Sequence, residues 1–346
     1  MRRAHTAWIA AGLAAIFIGT PARSRPTLDS WDWATVGDPG NRGTTDDENG
    51  IYFTDQTVIG GVDSRYRMAV TEVTVGQYIG FAQDYASLYR ERTGNFGGFS
   101  DFTGGDFILQ GGNATARINP GVSANQPIQV GWEYAARFTN WLHNGGGTEA
   151  RVFDRGVYDT STFTQNPDGS WNHTLSHDAD ASVHMATLDE WTKAGYWDPN
   201  KNGGEGGYWR YNHGSDDPTE PYTERNTGDP DGESNEPLDV GSYPEVQSPW
   251  GILDMAGGAR EWTETAGSQR HSRWLAGSNW TFDNPNPPDP YLLTDDALGH
   301  WPAGSVLTRR GGIRLVRPIP APPTVGIISL FPIITRRVRR KSSSIA

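Results

Sequence analysis

Two groups of residues and one absence bear on what chemistry this chain could do. Asp198-Pro199-Asn200-Lys201-Asn202-Gly203 repeats the first half of the D-x-N-x-N-G loop that wraps a calcium ion. The twelfth position of that loop is Trp209, so the closing bidentate carboxylate is missing, and an Asx-rich turn is the better reading. His173, His177 and His184 stand near Asp178 and Asp180, with His173 and His177 at i,i+4 spacing. Pro167-Asp168-Gly169 and the polar run around the histidines argue against a helix, so loop histidines are favoured over a transition-metal site. The absence is sulfur: the 346 residues include no cysteine. That removes thiol nucleophiles, thiolate metal sites and disulfide staples together. The sequence also lacks G-x-S-x-G, P-loop, H-E-x-x-H and dinucleotide fingerprints.

The elements that must position such residues are few. With 43 Gly and 23 Pro, long helices are disfavoured. Only 35% of residues are hydrophobic, but 14 Trp, 13 Tyr and 12 Phe can build a core from a small number of large side chains. A first helix is expected from Thr74, where Thr74 and Gln77 spell a capping box and Val75, Tyr78, Ile79, Ala82 and Tyr85 follow at helical spacing. A second covers Trp132 to His143 and is stopped by Asn144-Gly145-Gly146-Gly147. A third starts at Thr187, with Glu190 completing another capping box, and ends before Asp198-Pro199. Residues 93–127 read as a long loop, 148–183 as strands or loop, and 273–280 and 311–316 as short strands. The class is α+β, with few helices, short strands and much loop.

Several segments, taken in order, carry a resemblance. They are Val70-Thr71-Glu72-Val73-Thr74, Pro127-Ile128-Gln129-Val130 with Trp132-Glu133 and Asn140-Trp141-Leu142, Thr187-Leu188-Asp189-Glu190-Trp191, and Val240-Gly241-Ser242-Tyr243-Pro244. Pro249-Trp250-Gly251-Ile252-Leu253-Asp254-Met255-Ala256-Gly257, Glu261-Trp262, Leu275-Ala276-Gly277-Ser278-Asn279-Trp280 and Gly312-Ile313-Arg314-Leu315 follow. Together, over about residues 51–317, they resemble the formylglycine-generating-enzyme (sulfatase-modifying-factor) family. The resemblance implies a loop-rich fold related to the C-type lectin fold, with most matched residues, Trp132, Trp141 and Trp191 among them, serving as scaffold.

The family's namesake oxidises a sulfatase cysteine with copper held by two cysteine thiolates that follow a Gly-Gly-Ser-type turn. Here the matching turn, Ala276-Gly277-Ser278-Asn279-Trp280, leads into Thr281, Phe282, Asp283 and Asn284. Soft thiolates select Cu(I), and hydroxyls or amides cannot replace them, so no copper and no formylglycine generation are expected. A relative that forms sulfur–carbon bonds uses iron held by histidines of an added helical domain, for which this chain has no room. The resemblance also implies one structural Ca²⁺, held by the side chains of Asp254 and Glu261 and the carbonyls of Gly257 and Ala259. Hard oxygen donors suit that ion. Gly258 replaces the usual Asn and is expected to loosen the turn. The alternative is that Asp254 and Glu261 only cap a tight loop. The family's second calcium site would fall within 222–240, a stretch that does not align.

The two ends read differently from the body. Residues 1–26 combine Arg2, Arg3, an apolar run over 7–19 and Thr20-Pro21-Ala22, the pattern of a secretory signal peptide, with a membrane-anchored N-terminus as the alternative. Residues 318–346 carry PIPAPP, a short apolar segment broken by Pro332, and a basic end, and are similar to a PEP-CTERM sorting tail without its central Glu. Membrane contact is expected through this tail only; a disordered basic tail is the alternative. The body is thus residues 27–317. Thirteen of the 29 Lys+Arg lie before residue 27 or after residue 308, whereas all 41 Asp+Glu lie between, so that region carries a formal −25 rather than the overall −12. Such charge repels nucleic acid. The expectation is an exported protein, periplasmic, surface or extracellular, that binds a glycan, peptide or matrix partner through loops at 95–126, 200–235 and 281–305. An enzyme working by a cysteine-free route is the rival.

Overall fold

The computed structural model describes residues 25–45, 47–48, 58–94, 102–110, 113–165, 171–172, 176–217, 238–256, 258–267, 272–277, 299–302 and 311–320. All but the innermost residues of the signal-peptide and sorting-tail segments, and about half or more of the loops at 200–235 and 281–305, lie outside the described residues, whereas most of 95–126 is described.

Helices form where the caps and apolar spacing call for them. α1 (Val75–Thr93) opens on Thr74, whose hydroxyl accepts the Gln77 N–H at 3.2 Å while the Gln77 carbonyl accepts the Thr74 N–H at 2.9 Å. Two end groups of the helix are thereby satisfied. It closes on Gly94 at φ 75°, a left-handed cap that costs glycine no strain. α2 (Trp132–His143) runs into Asn144 and two glycines at positive φ. α1 and α2 meet through an aromatic layer in which Phe81 lies 5.7 Å from Phe138 and 6.1 Å from Trp141, both edge-on. Each such ring stabilises the fold by about 1.5–3 kcal/mol through burial. α3 (Ala150–Asp154) packs beside α2, and Asn140, buried on α2, holds the turn after it by bonds to Phe153, Val157 and Tyr158 backbone. α4 (Leu188–Tyr196) repeats the capping box with Thr187 and Glu190.

Strands are short. β1 (Trp33–Val36), β2 (Tyr66–Ala69), β7 (His184–Met185) and β14 (Leu315–Pro318) form an antiparallel sheet in the order β1-β2-β14-β7. β10 (Glu261–Ala266), β11 (Ser272–Ala276), β12 (Gly299–Pro302) and β13 (Gly312–Ile313) form a second, ordered β12-β11-β10-β13, with β10 and β13 parallel. β3 (Gly105–Gln110) with β4 (Asn113–Ile118), β5 (Thr164–Gln165) with β6 (Trp171–Asn172), and β8 (Trp197–Asp198) with β9 (Gly207–Tyr208) are separate two-stranded pairs. The chain returns to its start: the strand just before residue 318 pairs with the strand at 66–69. The result is the α+β class expected, with few helices and short strands.

Two expectations are corrected. Residues 93–127 are not one long loop, because β3 and β4 pair antiparallel over six residues each. The glycine and asparagine density there hides an apolar run, Phe107-Ile108-Leu109, that suffices for a strand, and its partner β4 is the strand that lies against α1, where Gln83 bonds to the Ala114 and Ala116 backbone. The stretch 148–183 contains the short helix α3, which has no capping side chain and is secured by packing of Val152 and Phe153.

Candidate functional site

Asp254 and Glu261 converge on one buried cluster, and two further charged residues join them. Asp254 sits at φ 54°, a left-handed conformation uncommon outside glycine, and its Oδ2 accepts the Gly241 N–H at 2.6 Å. Glu261 begins β10 with 1% exposure. Its carboxylate faces Arg314, whose Nε lies 2.9 Å from both oxygens and whose Nη2 lies 2.7 Å from Oε1. The Trp191 indole N–H adds a bond to Oε2 at 2.7 Å. The rest of the Arg314 guanidinium donates to the carbonyls of Ala69, Val70 and Asp254. Glu72, also buried, accepts the Ala259 N–H at 2.8 Å. The loop is therefore fastened from three directions: Gly241, Glu72 and Arg314.

Gly258 does not loosen this turn. It stands at φ 55°, and a Cβ there would lie 2.6 Å from the Glu72 carboxylate, so glycine is what allows Glu72 to close on the loop. Gly257 lies outside the described residues.

Charge in the cluster does not balance. Among the described residues, three carboxylates share one guanidinium. Burial, reinforced by Asp254 and Glu261, pushes Glu72 well above the ordinary carboxylate range, against the opposing pull of Arg314 and the Ala259 amide. Burial likewise pushes up Asp254 and, despite Arg314, Glu261. Arg314 is raised because its carboxylate neighbours outweigh the cost of its burial. Buried anions in excess favour either protonation or another cation. The donor chemistry, carboxylates with backbone carbonyls, fits a hard divalent ion. Against this, much of the Glu261 carboxylate is committed to Arg314 and Trp191, so a metal there would share it.

The other sequence-stated candidates settle as follows. In the Asp198 loop, the Asn200 N–H donates to Asp198 Oδ1 at 2.8 Å, an Asx turn, and the Trp209 indole takes Oδ2 at 3.1 Å. Lys201 spans the loop to Asp216 and lies 4.1 Å above the Trp209 ring. A cationic amine occupies the place where a calcium loop would gather oxygens. His173 lies outside the described residues. His177 and His184 come together, each against a carboxylate, Glu264 and Glu190. Among the described residues, no group of three or more His, Asp or Glu side chains is placed to hold a metal. Trp132, Trp141 and Trp191 are core residues at 0–2% exposure. Sequence reading passed over Glu72, Arg314, Glu264 and Tyr158. The first two stood inside the matched segments; only their pairing across the fold marks them.

Comparison with known proteins agrees with this architecture. A family described as the sulfatase-modifying factor enzyme 1-like domain matches residues 41–319. The hercynine oxygenase of Mycobacterium tuberculosis (strain ATCC 25618 / H37Rv) is 29% identical over 169 residues, covering 46% of this chain and 34% of that protein. The match thus spans about a third of the relative's length, and its name is that of an oxygenase rather than of a sulfatase modifier. The crystal structure of CarF aligns over 84% of this chain and 99% of that one, at 18% identity and a TM-score of 0.48. PvdO from Pseudomonas aeruginosa aligns over 84% and 96%, at 14% identity and a TM-score of 0.46. With the family match extending over most of its length, the chain belongs to the sulfatase-modifying factor enzyme 1-like family.

Proposed function

We propose that this protein is an exported binding domain of the family, directed at a glycan, peptide or matrix partner and without formylglycine-generating activity. The observation that carries this reading is the complete absence of cysteine from 346 residues. A Cu(I) centre needs soft sulfur ligands, and methionine thioethers (four in the chain) do not supply a thiolate. What remains is a rigid aromatic scaffold with long polar loops, the arrangement by which folded domains usually present binding residues. Calcium belongs to this proposal as a structural ion. Asp254 and Glu261, with the carbonyls of Gly257 and Ala259, would hold it, and its charge would offset the excess of buried carboxylates. Export rests on the N-terminal and C-terminal patterns of the sequence.

The relative named for oxygenase chemistry favours a second reading, an enzyme that modifies exported proteins or other substrates without cysteine. One experiment separates the two. Purified protein is applied to glycan and peptide arrays and, in parallel, incubated with a cysteine-bearing sulfatase peptide in the presence of copper or iron. Selective retention on an array with no change in peptide mass is expected. Metal-dependent oxidation of the peptide would sink the binding-domain reading.

A further inference from the structure

The loop 176–183 is tied to the core by a pair of histidines that the proposed function does not use. The rings of His177 and His184 stack with centroids 3.9 Å apart and planes 14° apart. Each has its own carboxylate on a different element. His177 Nδ1 lies 2.8 Å from both oxygens of Glu264 on β10. His184 Nε2 lies 3.1–3.2 Å from those of Glu190 on α4. Both carboxylates are fixed by other bonds. Glu264 accepts the Tyr158 hydroxyl at 3.0 Å, and that hydroxyl accepts the Met185 N–H. Glu190 accepts the Thr187 N–H in the helix cap. The other charges facing the pair are Asp178 on the loop itself and Arg273, buried behind Glu264 over the Trp132 ring.

These positions limit how many protons the pair can hold. His184 is 2% exposed; its Nε2 lies against the Glu190 carboxylate, which calls for a proton on that nitrogen, while its buried Nδ1 has no hydrogen-bond partner among the described residues. A proton on Nδ1 would be a buried donor with nothing to receive it, at a cost of about 1–3 kcal/mol. It would also set two positive rings face to face. His177 carries neither penalty: its side chain is 29% exposed and Nδ1 meets a fixed carboxylate.

We propose that the stacked pair is a one-proton latch: a single proton on His177, held against Glu264, fastens the loop 176–183 to β10, and loss of that proton frees the loop. Beyond this bond, the loop is held by the Asp178 N–H to Val157 carbonyl bond at 2.8 Å, by the contact of Ser182 with His143 Nδ1 at 2.9 Å, and by burial of Ala181 and Val183 in the core, so the part that the latch governs is the stretch 176–180. Burial works against the charge on His177, but the hydrogen bond and charge of Glu264, with Glu190 and Asp178, raise its pKa above the ordinary 6.5. A raised folded-state value means that the latch contributes fully below about 6.5 and is lost as pH climbs through the folded-state pKa.

The test uses the full chain with ring-labelled histidines, followed by NMR from pH 6 to 9, together with hydrogen exchange at the Asp178 and Ala181 amides corrected for base catalysis. One ring of the pair, that of His177, is expected to titrate, above the ordinary value. Loop protection should fall several-fold over the same interval in the native chain and stay level in His177→Gln. The latch is overturned if His177→Gln keeps the native pH dependence, or if the His177 ring does not titrate above the ordinary value. Should His177→Gln fail to fold, Glu264→Gln decides, because it keeps an acceptor for Tyr158: a lowered His177 titration supports the latch and an unchanged one ends it.

Discussion

Beneath the 254–261 loop, three carboxylates surround one guanidinium; beside β7, two carboxylates face two imidazoles. The two clusters share their supports. Consecutive residues of α4 enter both, Glu190 the imidazole cluster and Trp191 the guanidinium cluster, and β10 supplies Glu261 to one and Glu264 to the other. They differ in the cation. Arg314 cannot lose its proton in the working pH range, so the cation of this clamp is permanent, and the groups beside it that can change charge are its crowded carboxylates. His177 can, so the loop it holds depends on pH. The same strand thus carries a permanent clamp at one end and a releasable one three residues later.

The strongest way to break this contrast is to remove the permanent cation. Arg314→Met should cost about 3–5 kcal/mol, because it strands buried carboxylates rather than deleting a neutral contact. Urea denaturation measures it. A loss below about 1 kcal/mol would mean that Glu261 reaches water or another cation, and the clamp would lose its meaning. By comparison the exposed pair Arg117–Asp106, on the β3–β4 hairpin, should contribute little, since both side chains face solvent and water screens them.

A smaller effect should come from calcium. Binding of an ion to the native state alone adds RT ln(1 + [L]/Kd), about 2.7 kcal/mol at a hundredfold excess over Kd. Thermal melts with calcium and with chelator should therefore differ, and the difference should vanish in Glu261→Gln before it vanishes in Glu264→Gln. An unchanged melting temperature in the native chain would remove calcium from the proposal and leave Arg314 as the cluster's counter-ion among the described residues.

How much of this was legible in the sequence depends on the range of the interaction. Local signals were readable: Thr74 with Gln77, Thr187 with Glu190, and the α2 boundaries at Trp132 and His143 all lie within one or two helical turns and appear as read. The β3–β4 hairpin was hidden because glycine and asparagine density outweighed a three-residue apolar run. The charge clusters were hidden for a different reason. Arg314 meets Glu261 across 53 residues and Glu72 reaches Ala259 across 187. No spacing rule covers such pairs, and a buried Arg or Glu looks in sequence like a solvated one. Asp254 and Glu261 were singled out through the family resemblance, which marked their loop but not the arginine set between them.

The two capping boxes supply the finest comparison, because one stands alone and the other belongs to a charge cluster. Thr74→Ala should cost about 1 kcal/mol, the usual value of an N-cap hydroxyl, equally at pH 6 and pH 9. Thr187→Ala removes the same bond, yet its partner Glu190 is also the carboxylate that receives His184. Burial works to raise Glu190, but His184 and the Thr187 amide and hydroxyl together hold it below the ordinary carboxylate value. Taking away the hydroxyl weakens one of those restraints while His184 still holds the carboxylate, so the two losses should agree to within about 0.5 kcal/mol. Denaturant titration of both variants checks this. If Thr187→Ala instead costs several times more than Thr74→Ala, the cap and the histidine pair form one cooperative network, and the boundary drawn between helix start and latch would have to be erased.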